Sequence, residues 1–293
     1  MSEPLVTVGI SFYNCEKTLL AAIKSIFAQT LQDWELILID GGSSDKSLEI
    51  AKSIKDPRVR VISDGHYHNH PAALNQLIDL ARGQYIARMD GDDLCSPKRL
   101  EKQLELFKKD ESLDVVGTGI TYLDDMDFPL GYSTSSSSHS EICAQPYRTF
   151  HLCHGSIMAK RSWYLKNKYD ESAVKVEDFD LWLRSYEHSK FSNVCEALYY
   201  YRCEAFFSQK KLFIARINSI RILFRYYKKK NIAKAIWYSA LQITKMVVGP
   251  IICLFKSDRG LIRKRYNPFN DSQEKIYVEE LNYIKNIKLP LKD

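Results

Sequence analysis

Four short apolar runs frame the first third of the chain: VTVGIS at 6–11, ELILID at 35–40, RVRVIS at 58–63 and QYIARMD at 84–90. Each has strand length and is rich in β-branched or aliphatic residues, the pattern of strands inside a sheet. Between them the apolar positions switch to helical spacing, through Leu19, Ile23 and Ile26 and again in segments near 45–54 and 71–82. Strand and helix alternating four times predict an α/β protein with a doubly wound, mostly parallel sheet. Ligands bind such sheets beyond the carboxyl ends of the strands, where Ser11, Tyr13, Asp40 and the acids of 90–93 fall.

The pattern then loosens. A Leu- and Lys-rich stretch at 98–109 reads as a helix and DVVGTGITYL (114–123) as a strand, while the polar, low-complexity YSTSSSSHS (132–140) predicts a surface loop. HGSIMAKRSW and VEDFDLWLRSYEH predict a strand, a turn and a helix beginning near Glu177; FSNVCEALYYYR (191–202) is the last strand of the body. From about 206 the residues form helices with basic and aromatic faces, interrupted at Gly249-Pro250. The chain thus divides into a body, 1–205, and a helical region, 206–293, without internal repeats.

Composition adds two constraints. Seven scattered cysteines without a CxxC pair exclude a disulfide framework or a zinc ribbon and fit reduced thiols in a cytosolic protein. MSEPLVTVGI lacks the pattern of a secretory signal, and the longest apolar segment, Met246 to Phe255, is too short to span a bilayer. The net charge of +6 conceals an asymmetry, because residues 205–265 hold 15 Lys or Arg against one acid, Asp258, which leaves the remainder acidic. Arg216, Arg221, Arg225 and Lys228, Lys229, Lys230 alternate with Phe213, Ile217, Ile220, Phe224, Tyr226, Tyr227 and Trp237. No nucleic-acid motif accompanies this charge. It predicts an interfacial helix on an anionic membrane surface, with a solvated helix packed on the body as the structural alternative.

The candidate chemistry lies in acids. DGD at 90–92 sets two carboxylates two residues apart, and Gly91 leaves room for a ligand; Mg²⁺ or Mn²⁺ takes one or two such carboxylates and completes its shell with phosphate oxygens and water. Asp90, Asp92 and Asp93 would otherwise repel one another, although an acidic turn before the helix at Pro97 also accounts for them. IDGGSSDKS (39–47) is a strand, a glycine turn and a helix start at which Asp40 accepts hydrogen bonds from a base or ribose and Asp45 caps the helix. It matches neither GxGxxG nor the P-loop, which excludes both as the phosphate cradle. Glu177, Asp178 and Asp180 occupy a first helical turn, where acids are favourable by about 0.3–1 kcal/mol each without any function. HYHNH (66–70) offers three alternating histidines but no fourth ligand, so its imidazoles read as exposed or hydrogen-bonding groups, and His154 reads equally as a polar contact to a ligand or as a cap.

Taken in order, VGISFYN, ELILIDGGSSDKS, ALNQLIDLARGQYIARMDGDDLCSPKRLEKQ and VEDFDLWLR make residues 5–205 resemble the family-two glycosyltransferases, nucleotide-sugar enzymes with the GT-A fold. The resemblance implies a nucleotide-sugar half at 1–100 and an acceptor half at 101–205. Ser11, Tyr13 and Asp40 would then line the nucleoside pocket. Asp90 and Asp92 would form the DxD motif that holds Mn²⁺ or Mg²⁺, with Arg88, Glu177 and His154 beside the sugar diphosphate. Asp178 would be the general base of an inverting displacement. UDP is the nucleotide most frequent in the family, with dTDP and GDP as alternatives. Gly41 stands where an acid is common, and no QxxRW follows the ED pair, which disfavours processive synthesis. The implied reaction is one sugar moved to a lipid-linked or surface-saccharide acceptor at the cytoplasmic membrane face. Two other readings use the same acids: a nucleotidyltransferase or phosphohydrolase acting on nucleotide sugars, and a non-catalytic sugar-nucleotide or membrane-docking module.

Overall fold

The computed structural model describes residues 3–203, 209–255 and 266–291, with residues 209, 210, 247 and 249–255 described by their backbone alone. Strands β1 (Val6–Phe12), β2 (Trp34–Asp40), β3 (Val59–Ile62) and β4 (Tyr85–Asp90) pair in parallel in the order β3-β2-β1-β4. All seven positions of β1 and of β2 are buried, because helices cover both faces. Val6, Val8 and Ile10 face one side with Leu36 and Leu38, toward α1 (Leu19–Phe27) and α4 (Arg99–Lys109); Ile37 and Ile39 face the other, toward α3 (His70–Leu80). The half-buried RVRVIS forms the edge strand β3, consistent with its alternating pattern. Helix α2 (Ser47–Ser53) connects β2 to β3, and the Asp45 carboxylate accepts from the Ser47 amide at 2.9 Å, as expected for its start.

Beyond β4 the sheet becomes mixed. Short β5 (Leu94–Cys95) pairs antiparallel with the far strand β9 (Phe191–Arg202), while β9 runs parallel to β6 (Val115–Leu123). β7 (Pro129–Ser133) lies antiparallel to β6, and β8 (Met158–Lys160) sits antiparallel between β4 and β6. The expected loop at 132–140 therefore shrinks: β7 takes its first residues, and Ser138 caps the short helix α5 (His139–Ile142). Helices α6 (Arg161–Lys166) and α7 (Glu177–Ser185) complete the body, the latter starting where the sequence predicts.

The residues after 206 do not form one appendage. α8 (Gln209–Tyr227) buries Ile222, Leu223 and Tyr227, and α9 (Ile232–Phe255) buries Ala235, in the same core as Trp182 and Leu183. α9 continues through Gly249-Pro250, where the sequence predicts an interruption. One proline costs about 3 kcal/mol inside a helix, and the turns on either side hold its direction. α10 (Asp271–Lys285), started by a capping box on Asn270, returns to the opposite side and packs Leu281 and Ile284 against Ala28, Leu94, Leu123 and Tyr200. Backbone bonds join Asn267 to Tyr132 and Lys55 to Pro290, so the end of the chain is stitched to the body. The parts of the predicted membrane-facing stretch at 206–208 and 256–265 lie outside the described residues. No disulfide joins the described cysteines.

Candidate active site

A cleft of about 830 Å³ opens at the carboxyl ends of β1 and β4. Of the residues singled out in the sequence, Ser11, Tyr13, Arg88, Asp90, Asp92, His154, Glu177 and Asp178 all line it. Parallel pairing of β1 with β4 sets Ser11 opposite Asp90, and α7 points its first turn at the same space. Asp40 does not line the cleft. It is buried, its two oxygens accepting from the Ser43 amide and the Ser63 hydroxyl at 2.9 Å each.

The acids of the DGD turn differ from one another. Asp93 is fully buried, with its carboxylate accepting from the Tyr199 hydroxyl at 2.7 Å and the Arg202 amide at 2.9 Å. Burial first, then the charges of Asp92 and Asp90, push that carboxyl well above the usual range. Asp90 accepts from both terminal nitrogens of Arg88, one of them at 2.8 Å. Asp92 lies open in the cleft and no described side chain hydrogen-bonds its carboxylate; the cleft walls and Asp90 raise it. The oxygens of the three acids lie within 4.8 Å of one another. Gly91 lines the cleft and is also held to glycine by packing, since a Cβ there would stand 2.8 Å from the Phe12 Cβ.

His70, from the HYHNH segment, enters the site although its sequence context reads as a loop. Asn69 caps α3, with Pro71 behind His70, and this turns the imidazole into the cleft. Its Nε2 lies 2.8 Å from Arg88 Nη2 and its Nδ1 lies 3.0 Å from Ser11 Oγ. Arg88 can only donate, so Nε2 accepts and the ring is neutral with its proton on Nδ1. Burial, helped by the Arg88 charge, lowers His70 to about 4, in agreement with that geometry. Burial alone would lower Arg88 too, but the Asp90 charge overrides it and holds the guanidinium above its ordinary value. His154 bonds the Tyr169 hydroxyl at 2.8 Å and is held neutral by burial.

Glu177 places Oε1 3.9 Å from His70 Nε2, while its buried Oε2 has no hydrogen-bond partner. Burial and the neighbouring Asp178 raise it to about 7. Asp178 accepts from the Phe179 amide at 2.7 Å and is raised by burial. Two further cavities adjoin the cleft. One, of about 470 Å³, is walled by Tyr122, Ser133–Ser136, His151 and Tyr201; the other, of about 330 Å³, by the 148–150 turn, α7, α8 and α9. Asp178 lines all three. At the outer lip Tyr13 and Tyr67 meet edge to face at 5.6 Å, both exposed.

The sequence reading missed His70, Tyr67, Asp93's partners Tyr199 and Arg202, and the buried Arg99. Arg99 lies under the site, donating to the carbonyl of Arg88 at 2.7 Å and approaching those of Gly155 and Ile157. Only His70 left a readable trace, the Asn-His-Pro helix start.

Residues 7–166 match the family described as Glycosyl transferase family 2. The chain is 36% identical over 233 residues to EpsE of Bacillus subtilis (strain 168), which carries a glycosyltransferase name, covering 76% of this chain and 82% of that one. It is 30% identical over 222 residues to the O-antigen biosynthesis glycosyltransferase WbnJ of Escherichia coli, covering 70% and 82%. Among solved structures, Staphylococcus aureus TarS 1–349 in complex with UDP-GlcNAc superposes with a TM-score of 0.61 at 15% identity over 95% of this chain and 80% of that one. The mannosyltransferase PcManGT of Pyrobaculum calidifontis, in complex with GDP-Man and Mn²⁺, gives 0.57 at 12% identity over 97% and 86%. These superpositions establish the GT-A fold. With the family match over more than half its length and a relative at 36% identity, the chain belongs to glycosyltransferase family 2.

Proposed function

We propose that the protein moves a single sugar from a nucleotide diphosphate sugar to an acceptor hydroxyl with inversion at the anomeric carbon, Asp178 acting as general base. The observation that carries this reading is the position of Asp178, the residue common to the large cleft and both adjoining cavities. A donor in the cleft and an acceptor in a side cavity would meet at its carboxylate. Burial raises that carboxyl, which makes it a stronger proton acceptor than a solvated aspartate. Tyr13 and Tyr67 offer aromatic faces to a base, and Ser11, His70 and Arg88 offer polar groups to ribose and phosphate. Contact between Asp40 and a base, as the resemblance implies, requires the buried carboxylate to be opened to the cleft, since each of its oxygens keeps a free lone pair beside the Ser43 or Ser63 bond.

The acids fit a divalent cation. Asp92 would hold it, with Asp90 contributing where Arg88 leaves an oxygen lone pair, while Asp93 is committed to Tyr199 and Arg202. Such a cation neutralises negative charge on the departing diphosphate. Arg88 adds a fixed positive charge near the same place. UDP is the proposed nucleotide, since TarS has been solved with UDP and with UDP-GlcNAc.

Association with the cytoplasmic face of an anionic membrane belongs to the same proposal. None of the described helices is long and apolar enough to cross a bilayer. α8 and α9 bury one side on the body, yet Phe213, Ile236, Trp237 and Ile243 remain exposed on the same helix pair that carries the exposed Lys228, Lys229 and Lys234, a combination suited to lying on lipid. The acceptor would then be a lipid-linked or surface saccharide.

The test is Asp178→Asn with UDP-GlcNAc, Mn²⁺ and a panel of saccharide acceptors. Turnover should drop several hundredfold while donor binding by calorimetry stays within about threefold of wild type. Equal turnover in the two proteins defeats the assignment. Release of free sugar without transfer would favour a hydrolase.

A further inference from the structure

The smaller side cavity, about 330 Å³, lies between the 148–150 turn, the start of α7 and the helix pair α8–α9. Its wall is divided. Phe150, Leu152, Val176, Phe179, Leu212 and Ala215 make one part apolar, whereas Arg148 and Arg216 make the other cationic. Asp178, at the end shared with the main cleft, is the only acid among its described lining residues.

The arginines here differ from those that fasten α8 to the body. Arg225 pairs with Asp170 and Asp180, and Lys230 with Glu187. Arg216 instead donates at 2.8 Å to Gln242, a neutral and buried amide, and Arg148 reaches only Gln145, at 3.4 Å. Lys245, one turn beyond Gln242, is half-buried beside them; desolvation and the charges of Arg216 and Arg148 lower it. Among the described residues, none of the three forms an ion pair. Arg148 and Arg216 face the cavity without an ion-pair partner, and an anion between them would balance their charge. The arrangement is held in place: Tyr147, next to Arg148, stacks on Tyr238 of α9 with ring centroids 4.3 Å apart and planes 4° from parallel. A second unsatisfied group is the buried indole N–H of Trp182, a lining residue without a hydrogen-bond partner.

We propose that this cavity binds a phosphate or diphosphate ester carried by the acceptor, through Arg148 and Arg216 of its wall with the charge of Lys245 behind them, and so delivers the acceptor hydroxyl to Asp178. The inference rests on the glycosyl-transfer reading for the word acceptor; the anion site itself does not. Arg216, with its planar guanidinium, gives two donors toward phosphate oxygens in a forked geometry, and Lys245 adds a point charge. Part of the basic character of the helical region would thus serve substrate recognition inside the protein and not only contact with a surface outside it.

The experiment is calorimetric titration of the full chain with inorganic pyrophosphate in excess EDTA, which removes any contribution from a cation at Asp92. Wild type should bind one equivalent. Arg216→Gln and Arg148→Gln should each weaken binding about tenfold or more, Lys245→Gln should weaken it less, and Asp92→Asn should leave it unchanged. Unaltered melting temperatures would confirm that the variants fold, and Arg216→Lys should restore part of the affinity if charge is what the site reads. Absence of binding to wild type, or equal binding by Arg216→Gln, overturns the inference. Titration of the same Arg216→Gln protein with UDP-GlcNAc and Mn²⁺ should match wild type; heat lost there would place Arg216 in the donor site and overturn it as well. If wild type gives no heat with UDP-GlcNAc yet binds pyrophosphate through Arg216, the donor reading fails and the anion site stands.

Discussion

Glu177→Gln should stabilise the protein at alkaline pH and leave its stability nearly unchanged at acid pH. The Glu177 side chain is 12% exposed, has one oxygen without a partner, and stands next to Asp178. Its carboxyl titrates at about 7 instead of 4.5, which corresponds to about 3 kcal/mol at about 1.36 kcal/mol per pH unit. The sign follows from proton uptake. Between pH 4.5 and 7 the folded protein holds a proton that the unfolded chain has lost, so wild-type stability from this group is complete below 4.5, declines across the window and is gone above 7. Glutamine has no such titration. The variant-minus-wild-type difference in unfolding free energy should therefore rise by about 2–3 kcal/mol between pH 4.5 and pH 8. Urea unfolding with linear extrapolation measures it, in EDTA and without nucleotide. The other raised carboxyls, on Asp92, Asp93 and Asp178, titrate in both proteins and largely cancel. His70 pulls the opposite way in each, its stabilisation lost as pH falls from 6.5 toward 4, so only the difference is diagnostic. A pH-independent difference, within about 0.5 kcal/mol across the window, would refute the claim that Glu177 is buried as a strained carboxylate.

Other perturbations probe the scaffold and the surface. Arg99→Met should cost about 1–3 kcal/mol in urea unfolding, because it leaves the buried Arg88 carbonyl without its 2.7 Å donor; unchanged stability would show that this contact contributes nothing net. Gly42→Ala should lower the melting temperature more than Gly65→Ala. Both glycines have positive φ, +86° and +77°, but a Cβ at 42 would stand 2.7 Å from the His66 carbonyl oxygen while none at 65 meets an atom within 4 Å. Equal shifts would mean that the turn at 42 relaxes freely. Replacing Ile236 and Trp237, 59% and 62% exposed, by Ser should reduce co-sedimentation with anionic liposomes without altering stability; undiminished binding would remove α9 from the membrane proposal.

The parts of this fold that are legible in the sequence are those whose side chains repeat. β1, β2 and β4 announce themselves because each is covered on both faces, and α1 because one stripe of it is. β5 is invisible for the opposite reason: two residues carry no period, and Leu94–Cys95 becomes a strand only because β9 lies alongside, whereas β8 falls within HGSIMAKRSW, where a strand is expected. The acids of the site could be found because several charges in a row at a strand end are conspicuous. Their distinct tasks could not, since the carboxylate of Asp93 is engaged by Tyr199 and Arg202, more than 100 residues later in the chain. Nor could His70, whose state depends on Arg88 and Ser11 converging from separate strands. The apparent break at Gly249-Pro250 reflects a local propensity that the longer helix overrides.

The clamp of Tyr199 and Arg202 on Asp93 also orders events during synthesis. When the ribosome has released the first 180 residues, all three acids of the turn, Arg88 and Asp178 are present, but the strand that grips Asp93 is not. Held apart from those partners, Asp93 has nothing to fix its carboxylate, whereas Asp90 still has Arg88. An unfinished chain would accordingly lack the buried anchor of this turn, which arrives late, with the strand that joins β6 to β5.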